Sequence, residues 1–552
     1  MQLTPSAHVD TFTRDHLPPA DQWPTLEFTL PELQYPEQLN AATALIDQPT
    51  ARFGADRPAL RTPDGVIWSY GQLLEHANQV ARVLTEDHGI VPGNRVLLRG
   101  PNNPWIVAAW LGVLKAGAVV VTTMPLLRAP EIAKLIGLTK PSLAITDHRF
   151  ADEMDTAATA AELPVLSYGS DAATDLVALA AAKPGTFENV ATAADDVALL
   201  GPTSGTTGTP KVTMHFHRDV LANADTFARH LLEPTPDDVF AGSPPLAFTF
   251  GLGGLVVFPL YFGASALLTE RAAPVELAER AAEAGATVLF TAPTAYRAII
   301  KADRADLLSR LRLGVSAGEH LSQQTWEAVE EASGLRLVDG IGATEMLHVF
   351  ISAAGDAIHP GAVGVPVPGY RATILDVDGN EAADGEPGRL AVIGPTGCRY
   401  LDDPRQANYV CNGWNVTGDT FLRDAEGYFV YQARSDNMIV SSGYNIGAPE
   451  VEAAIDQHED VLENAVVARP DEERGSVVCA FIVLREGVTG DAAKRKEIQD
   501  FVKATIAPYK YPRDVRFVDE LPRNPSGKLQ HFRLRESLQT GQHSELAGAG
   551  QA

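Results

Sequence analysis

The sequence has little cysteine, no long uninterrupted apolar run and no leader-like N-terminus. Its 552 residues include three cysteines, which lie far apart without metal-ligand spacing, so a disulfide scaffold is excluded and a reducing compartment is favoured. The longest apolar stretch, residues 105–122, is interrupted by Lys115 and Gly117. It is too short and broken to span a bilayer and predicts a helix followed by a buried strand. The first residues have neither a basic start nor an apolar core, so we expect no signal peptide and a cytoplasmic protein.

Basic residues are scarce relative to acidic ones. Lysine and arginine number 44 against 70 aspartates and glutamates, a net charge of −26. This charge disfavours nucleic acids and anionic membranes as partners, because both require a basic face. Residues 494–535 are the exception, with eleven basic residues against five acidic ones. That local excess either binds an anion or is chance clustering on a solvated surface.

Helical and strand patterns alternate over the first 350 residues. Residues 274–291, for example, predict an amphipathic helix that ends at Gly285 and a strand over Thr287–Thr291. Such alternation indicates an α/β fold with largely parallel sheets. Between about residues 360 and 435, short strands separated by turn residues predict a small antiparallel β unit.

We divide the chain into a large N-terminal domain, residues 1–435, and a small α+β C-terminal domain, residues 436–540. The N-terminal domain is expected to contain α/β subdomains plus the small β unit. In the C-terminal domain the pattern predicts a helix around Ala448–His458, a pair of strands and a helix over Lys494–Thr505. Residues 541–552 are small and polar, which is typical of a disordered tail.

The stretch TSGTTGTPK, residues 203–211, combines hydroxyl side chains, two glycines and a lysine. Hydroxyls, backbone N–H groups and an ammonium together suit the oxygens of a polyphosphate. The stretch is not a Walker A loop, because Thr209 and Pro210 separate the second glycine from Lys211. The alternative is a flexible polar turn between two strands.

Five further segments combine glycine with charged or hydroxyl residues. They are SAGEHL (316–321), DGIGATEMLH (339–348), VTGDTF (416–421), ARSDNMIVSSGYNIGAPEVE (433–452) and NPSGKLQ (524–530). In this order with TSGTTGTPK, they resemble the motifs of the adenylate-forming superfamily, which contains acyl-CoA synthetases, carrier-loading adenylation domains and luciferases. The resemblance covers nearly the whole chain. It implies that the phosphate ligand is ATP and that the C-terminal domain is mobile.

The resemblance assigns phosphate and metal contacts. The implied phosphate loop, which grips the leaving pyrophosphate, consists of Thr203, Ser204, Gly205, Thr206, Thr207, Gly208 and Lys211. Val212 stands where the family usually has another glycine. Thr344 matches a phosphate contact, and Glu345 matches the carboxylate that holds Mg²⁺. Lys528 resembles the catalytic lysine that bridges the attacking carboxylate and the α-phosphate, and with it Lys211, Thr344 and Glu345 form the implied catalytic set.

The resemblance also assigns residues to the nucleoside, to domain movement and to coenzyme A. The remaining implied nucleotide contacts are Gly318, Glu319, Asp339, Asp419 and Arg434. Asp419 matches a carboxylate that accepts hydrogen bonds from both ribose hydroxyls. Asp436 falls at the family's hinge position, and Gly443 and Tyr444 match the strand beside the pantetheine tunnel.

An acyl pocket is the last implied feature. Its residues are Phe248, Thr249, Phe250, Ile341, Gly342 and His348. The segment SPPLAFTFGLGG (243–254) and DGIGATEMLHVF are similar to those of benzoate and 2-aminobenzoate CoA ligases, and the N-terminal segment is most similar to the 2-aminobenzoate branch. Ile341 stands where many members place a tyrosine against adenine. His348 either reaches the aryl group or its carboxylate, or is a satisfied histidine behind the pocket.

The expected function is therefore an ATP-dependent aryl-CoA ligase acting on 2-aminobenzoate or benzoate, with release of AMP and pyrophosphate. Its expected ligands are a small aromatic carboxylate, ATP, Mg²⁺ and coenzyme A. The sequence leaves the oligomeric state open, and a homodimer is compatible with it. The alternative is a stand-alone adenylation enzyme that loads an aryl group onto a carrier protein, because it shares all the ATP motifs.

Overall fold

The chain divides into two units in the computed structural model. The structure describes residues 3–203, 210–434, 438–441, 444–471, 475–506, 508–523 and 529–540. One unit contains Met1–Ala372 and Ala391–Val416, and the other contains Thr373–Leu390 and the chain from Thr417 onward. The domain boundary expected between residues 435 and 436 stays a prediction, and the expected tail, residues 541–552, lies outside the described residues.

Two largely parallel sheets form the framework of the first unit. In chain order their strands are β1 (Pro58–Arg61), β2 (Ile67–Ser69), β3 (Arg95–Arg99), β4 (Val119–Thr123), β5 (Leu143–Asp147), β6 (Val165–Tyr168), β7 (Val197–Thr203), β8 (Lys211–Phe216), β9 (Val239–Gly242), β10 (Ser265–Leu267), β11 (Val288–Thr291), β12 (Leu313–Ser316), β13 (Leu337–Gly342), β14 (Val349–Ser352) and β15 (Val365–Pro366). One sheet has the order β6-β5-β3-β4-β7-β8 and the other β15-β14-β13-β12-β11-β9-β10-β1-β2. Inner neighbours are parallel, and antiparallel pairs lie towards the sheet ends. The α/β architecture expected from the sequence is thus confirmed.

Helices connect these strands. The α-helices up to residue 340 are α1 (Phe12–Asp15), α2 (Gln48–Phe53), α3 (Tyr70–Arg82), α4 (Pro104–Lys115), α5 (Ala129–Thr139), α6 (Ala151–Thr159), α7 (Leu176–Ala181), α8 (His217–Asn223), α9 (Thr249–Leu252), α10 (Phe258–Tyr261), α11 (Pro274–Glu283), α12 (Pro293–Lys301), α13 (Ala305–Leu308) and α14 (Gln323–Ser333). Wider π-helical turns occupy Thr43–Asp47, Val83–Asp87, Ala224–Leu232 and Gly253–Val257. Within the described part of the chain, no helix is both long enough and apolar enough to cross a membrane.

The apolar stretch 105–122 forms helix α4 and strand β4, as its pattern predicts. Helix α4 begins after Asn103, whose side chain accepts a hydrogen bond from the N–H of Ile106. At the other end Lys115 is fully buried, and its ammonium lies 2.6 Å from Asp47 Oδ2 and 3.0 Å from Asn189 Oδ1. A buried lysine is tolerated here because its charge is paired and hydrogen-bonded.

Two more sheets contain the later strands. They are β16 (Arg371–Leu375), β17 (Gly388–Ile393), β18 (Val410–Cys411), β19 (Trp414–Arg423), β20 (Phe429–Arg434), β21 (Met438–Ser441), β22 (Tyr444–Gly447), β23 (Val461–Asp471), β24 (Gly475–Leu484) and β25 (Asp514–Phe517). One sheet has the order β16-β17-β19-β18 with β20 on β19, and the other β22-β21-β24-β23 with β25 on β24. The helices of this region are α15 (Gln406–Tyr409), α16 (Ala448–Asp456), α17 (Ala492–Thr505) and α18 (His531–Thr540). Helix α17 starts two residues before the expected position because the Asp491 side chain caps it by accepting from the N–H of Lys494.

Carboxylates of the second unit pair with much of the basic stretch 494–535. The ion pairs are Lys494–Asp460, Lys496–Asp500, Lys503–Asp500, Lys510–Glu450, Arg516–Asp514 and Arg523–Glu463. For these six side chains the positive charge is compensated locally. The arrangement favours a solvated, ion-paired surface over an unpaired anion-binding face.

Val212 is a core residue of β8, at the position where the family usually has a glycine. It is 2% exposed and belongs to a buried cluster that includes Leu200, Met214 and Leu401.

We expect Val212→Ala to lower the free energy of unfolding of the first unit by about 2 kcal/mol, because it removes buried methyl groups and leaves a cavity. The urea unfolding transition of that unit measures this effect. Val9→Ala is the matched control, because Val9 belongs to the same unit and is 69% exposed, and an equal loss in both variants would contradict the prediction.

Candidate active site

The phosphate motif lies between β7 and β8, which pair antiparallel with Thr203 opposite Lys211. Its central residues Ser204, Gly205, Thr206, Thr207 and Gly208 lie outside the described residues. The Oγ1 atom of Thr203 is buried and has no hydrogen-bond partner among the described residues. This hydroxyl therefore has hydrogen-bonding capacity that a ligand could use.

Three side chains converge where β8 begins. The ammonium of Lys211 donates to the Tyr400 hydroxyl at 2.6 Å and to Glu345 Oε1 at 3.3 Å, and the Tyr400 hydroxyl donates to the same carboxylate oxygen at 2.5 Å. The ammonium also lies 4.6 Å from the centre of the Tyr400 ring. Tyr400 and Glu345 are both buried. Burial, reinforced by the charge of Glu345, raises the pKa of Tyr400 and keeps its hydroxyl protonated.

The backbone of Thr344 is held by a buried histidine. His215 Nε2 lies 2.8 Å from the carbonyl oxygen of Thr344 and 3.1 Å from Thr213 Oγ1. Burial, aided by the charge of Arg399, lowers the pKa of His215 to about 3, so the imidazole is neutral and Nε2 can donate to the carbonyl. Thr344 also packs over Gly201, where an added Cβ would lie 3.0 Å from Thr344 Cγ2.

An ion pair between Asp219 and Arg399 lies behind these residues, with neither side chain exposed. Asp219 also accepts a hydrogen bond from the N–H of Phe216 at 2.9 Å, and the Arg399 guanidinium lies 4.0 Å from the centre of the Phe216 ring. Burial raises the pKa of Asp219 and lowers that of Arg399, and their mutual attraction opposes both shifts.

The segment that carries Tyr400 runs beside β8. The N–H of Met214 donates to the carbonyl of Arg399 at 2.7 Å, and the N–H of Leu401 donates to the carbonyl of Val212 at 2.8 Å. These bonds place the Tyr400 side chain next to Lys211. Tyr400 and His215 were not predictable from the sequence, because no local motif marks them and their contacts depend on strands distant in the chain.

A pocket brings together residues predicted for the acyl group and for phosphate. Its lining consists of Thr122, Leu199, Gly201, Pro202, Ala247, Phe248, Thr249, Leu252 and Thr344. Phe248 is 38% exposed. Phe248, Thr249 and Thr344 therefore share one pocket, whereas Phe250 and His348 contact each other outside this lining.

His348 lies in an aromatic cluster. Its ring centre is 5.4 Å from that of Phe227, 5.8 Å from that of Phe250 and 4.7 Å from that of Phe258. His348 is buried, and neither ring nitrogen makes a full-strength hydrogen bond with a described residue. Burial lowers its pKa to about 3, and a weak hydrogen bond to the backbone of Phe250 opposes the shift. A neutral imidazole, whose acceptor nitrogen has no partner among the described residues, thus lies among phenylalanines.

Two glycines leave room for His348. An added Cβ at Gly253 would lie 2.5 Å from His348 Nε2, and one at Gly342 would lie 2.7 Å from the carbonyl oxygen of His348. Ile341 precedes Gly342, is half-buried and pairs with Ile351 of β14. The end of β13 therefore lies against His348. Ile341, Gly342 and His348, which were all expected at the acyl pocket, are close to one another.

The residues expected at adenine follow neighbouring parallel strands. Asp339 on β13 is opposite Ser316 at the end of β12, and Gly318 follows with φ +88°. Asp339 lines a second pocket together with His359, and burial raises its pKa to about 8. Gly318 and Glu319 do not line that pocket. Asp339 lies within β13 and Gly318 follows the adjacent strand β12, and open α/β sheets bind ligands near the carboxyl ends of their parallel strands.

The remaining expected residues belong to the second unit or lie outside the described residues. Asp419 on β19 is the Cα partner of Arg434 on β20, so these two expected nucleotide contacts are cross-strand neighbours. Tyr444 begins β22. The expected hinge Asp436, the tunnel residue Gly443 and the catalytic Lys528 lie outside the described residues.

Two family models match the sequence of this chain. Residues 46–399 match the model of the AMP-binding enzyme family, and residues 450–528 match that of the AMP-binding enzyme C-terminal domain. The chain therefore belongs to the AMP-binding enzyme family, the adenylate-forming enzymes anticipated from its motifs. With CoA ligases among its full-length relatives, it is an AMP-forming acid–thiol ligase.

Three relatives carry names that bear on the substrate. The benzoate–CoA ligase of Thauera aromatica is 34% identical, over 92% of this chain and 98% of that enzyme. The crystal structure of the anthranilate CoA ligase AuaEII in complex with anthranoyl-AMP is 31% identical, with a TM-score of 0.86 over 92% of this chain and 99% of that one. A benzoate CoA ligase structure from Burkholderia xenovorans LB400 is 31% identical, with a TM-score of 0.80 over 90% of this chain and 100% of that one.

The buried imidazole of His348 predicts a pH-dependent stability. Its folded pKa of about 3 lies below the ordinary 6.5, so the unfolded chain binds more protons between these values. This contribution to stability is complete above about pH 6.5 and is lost as pH falls towards 3. We expect the urea midpoint of His348→Phe to fall less than that of the wild type between pH 7.5 and pH 5. Equal falls in both proteins would contradict a neutral buried imidazole.

Proposed function

We propose that the protein is an aryl-CoA ligase that activates 2-aminobenzoate, with benzoate as the second candidate substrate. The observation that carries this proposal is the buried, neutral imidazole of His348, which lies among Phe227, Phe250 and Phe258. Its acceptor nitrogen has no partner among the described residues. The relatives named for benzoate and anthranilate support an aromatic acid.

The aromatic cluster suits a flat ring that bears one polar substituent. Phenylalanine faces and edges pack against an aryl group, and His348 offers one acceptor nitrogen and one N–H donor. A buried polar group without a partner costs roughly 1–3 kcal/mol, so a ligand that satisfies the imidazole is favoured. The amine of 2-aminobenzoate can donate to the acceptor nitrogen, whereas benzoate has no group at that position.

The first half-reaction joins two anions. A carboxylate oxygen of the acid attacks the α-phosphorus of ATP, and the bond from that phosphorus to the pyrophosphate oxygen breaks. Repulsion between the reactants requires fixed positive charge and an in-line approach. We assign this charge to Lys211, the last residue of the phosphate motif, and to Lys528 of the PSGK motif.

Glu345 fits the role of a Mg²⁺ ligand. Its Oε1 accepts from Lys211 and Tyr400, and its Oε2 accepts no hydrogen bond from any described residue. A carboxylate oxygen is the hard donor that Mg²⁺ prefers. When bound, the ion would neutralise charge on the ATP phosphates.

The second half-reaction transfers the acyl group to coenzyme A. The thiol sulfur attacks the acyl carbon of the adenylate, the bond to the AMP oxygen breaks, and the thiol proton leaves to solvent or a base. We assign the hinge for domain rotation to Asp436 and the pantetheine tunnel to Gly443 and Tyr444. The three free cysteines agree with a location in the cytoplasm.

A substrate competition tests the proposal. Purified protein receives Mg²⁺, ATP, coenzyme A and equimolar benzoate, 2-aminobenzoate, hydroxybenzoates and a medium-chain fatty acid, and mass spectrometry measures each thioester. We expect 2-aminobenzoyl-CoA to dominate. In His348→Phe, kcat/KM for 2-aminobenzoate should fall about tenfold or more relative to that for benzoate, because the amine loses its partner.

Each outcome of the competition has a definite meaning. A dominant fatty acyl-CoA would refute the aryl proposal, and an unchanged substrate ratio in His348→Phe would refute the role of the imidazole. Acyl-adenylate formed without any thioester would instead indicate the carrier-loading alternative.

Replacement of Lys528 separates the two half-reactions. We expect Lys528→Ala to slow adenylate formation by orders of magnitude, because the lysine neutralises charge on the α-phosphate only in that step. Thioester formation from supplied acyl-adenylate should stay nearly intact. Lys496→Ala is the control, since Lys496 is exposed and paired with Asp500. Equal loss of both steps in Lys528→Ala would contradict the rotation of the C-terminal domain.

A further inference from the structure

The hydroxyl of Tyr400 is the shared partner of the two groups assigned to phosphate and metal. It accepts from Lys211 at 2.6 Å and donates to Glu345 Oε1 at 2.5 Å, whereas the direct contact from Lys211 to that oxygen is 3.3 Å. The hydroxyl thus makes a shorter contact with each group than they make with each other. No motif of the sequence assigns a function to this residue.

Contacts of the backbone and the ring hold Tyr400 in place independently of its hydroxyl. Its N–H donates to Gln406 Oε1 at 2.8 Å, its backbone bridges to Thr213 of β8, and its ring packs edge-on against Tyr409 at 5.8 Å. The residue is 1% exposed. Removal of the oxygen alone should therefore leave the ring in place and change only the contacts to Lys211 and Glu345.

The hydroxyl has two effects on Glu345, and both favour a bound cation. Its hydrogen bond to Oε1 fixes the orientation of the carboxylate. Oε2 can therefore bind a metal without a further loss of rotational entropy of the carboxylate. It also gives the Lys211 ammonium a second acceptor. Without that acceptor, the ammonium would pair more fully with Glu345 and compete with a divalent cation for the same charge.

We propose that Tyr400 is a positioning residue, whose hydroxyl keeps the Glu345 carboxylate oriented and partly free of Lys211 so that a divalent cation can bind with ATP. This inference rests on the proposed role of Glu345 as a metal ligand. The residue acts through Glu345 and Lys211 and does not itself contact the reacting atoms.

The test measures cation binding by the full-length protein without turnover. Mn²⁺ serves as the probe, with α,β-methylene-ATP at no more than one equivalent of concentrated protein so that little free nucleotide chelates the ion, and electron paramagnetic resonance gives the free Mn²⁺ concentration. We expect Tyr400→Phe to raise the Mn²⁺ dissociation constant about tenfold. The melting temperature should remain close to that of the wild type, and the Mg²⁺ concentration for half-maximal pyrophosphate exchange should rise by a similar factor.

Tyr296→Phe is the matched control for loss of a buried tyrosine hydroxyl. Tyr296 is fully buried in the same unit, and its hydroxyl donates to the carbonyl oxygens of Leu289 and Val315. We expect this variant to bind Mn²⁺ as the wild type does. If both variants lost affinity equally, a general loosening of the unit would explain the result and the proposal would be wrong.

Failure of the inference is distinguishable from failure of the proposed metal site. If the wild type binds Mn²⁺ and Glu345→Gln abolishes binding, the metal assignment stands. An unchanged or tighter Mn²⁺ affinity in Tyr400→Phe would then overturn the role of Tyr400 alone. If Glu345→Gln binds Mn²⁺ as the wild type does, Glu345 is not the ligand and both statements fall.

Discussion

The buried ion pair between Asp219 and Arg399 is the interaction on which the site depends. Removal of one partner from such a pair typically costs 3–5 kcal/mol, because an uncompensated charge remains in the interior. Asp219 accepts from the N–H of Phe216 at the start of α8, and Arg399 precedes Tyr400. The pair therefore fixes the segment that places a hydroxyl between Lys211 and Glu345.

Two buried neutral histidines have different partners and different consequences. His215 is hydrogen-bonded to the carbonyl of Thr344, so its polarity is used within the protein to hold the backbone beside the phosphate motif. His348 makes no full-strength hydrogen bond with a described residue and lies among phenylalanine rings. Burial lowers the pKa of each to about 3, so both imidazoles are neutral, but His215 is fixed to the backbone whereas His348 is surrounded by aromatic rings.

The motifs lie at strand ends, and antiparallel pairs at the margins of the two sheets hold several of their residues. The β7–β8 pair places Lys211 opposite Thr203, and β13 with its following turn supplies Asp339 and Glu345. The second unit contributes Asp419 and Arg434 as cross-strand neighbours. Each unit thus carries some of the expected nucleotide contacts on its strands or directly beside them.

The sequence by itself determined the α/β class and the helices and strands around residues 105–122 and 274–291, because these features follow from local periodicity. Its ordered motifs resemble those of adenylate-forming enzymes, and that resemblance gave the expectation that Lys211 and Glu345 belong to one site. Only the tertiary structure decided that Val212 is a core residue, that His348 is buried among phenylalanines and that Tyr400 joins Lys211 to Glu345. Burial and hydrogen bonding between residues more than a hundred positions apart depend on how strands pack, and no local pattern encodes that packing.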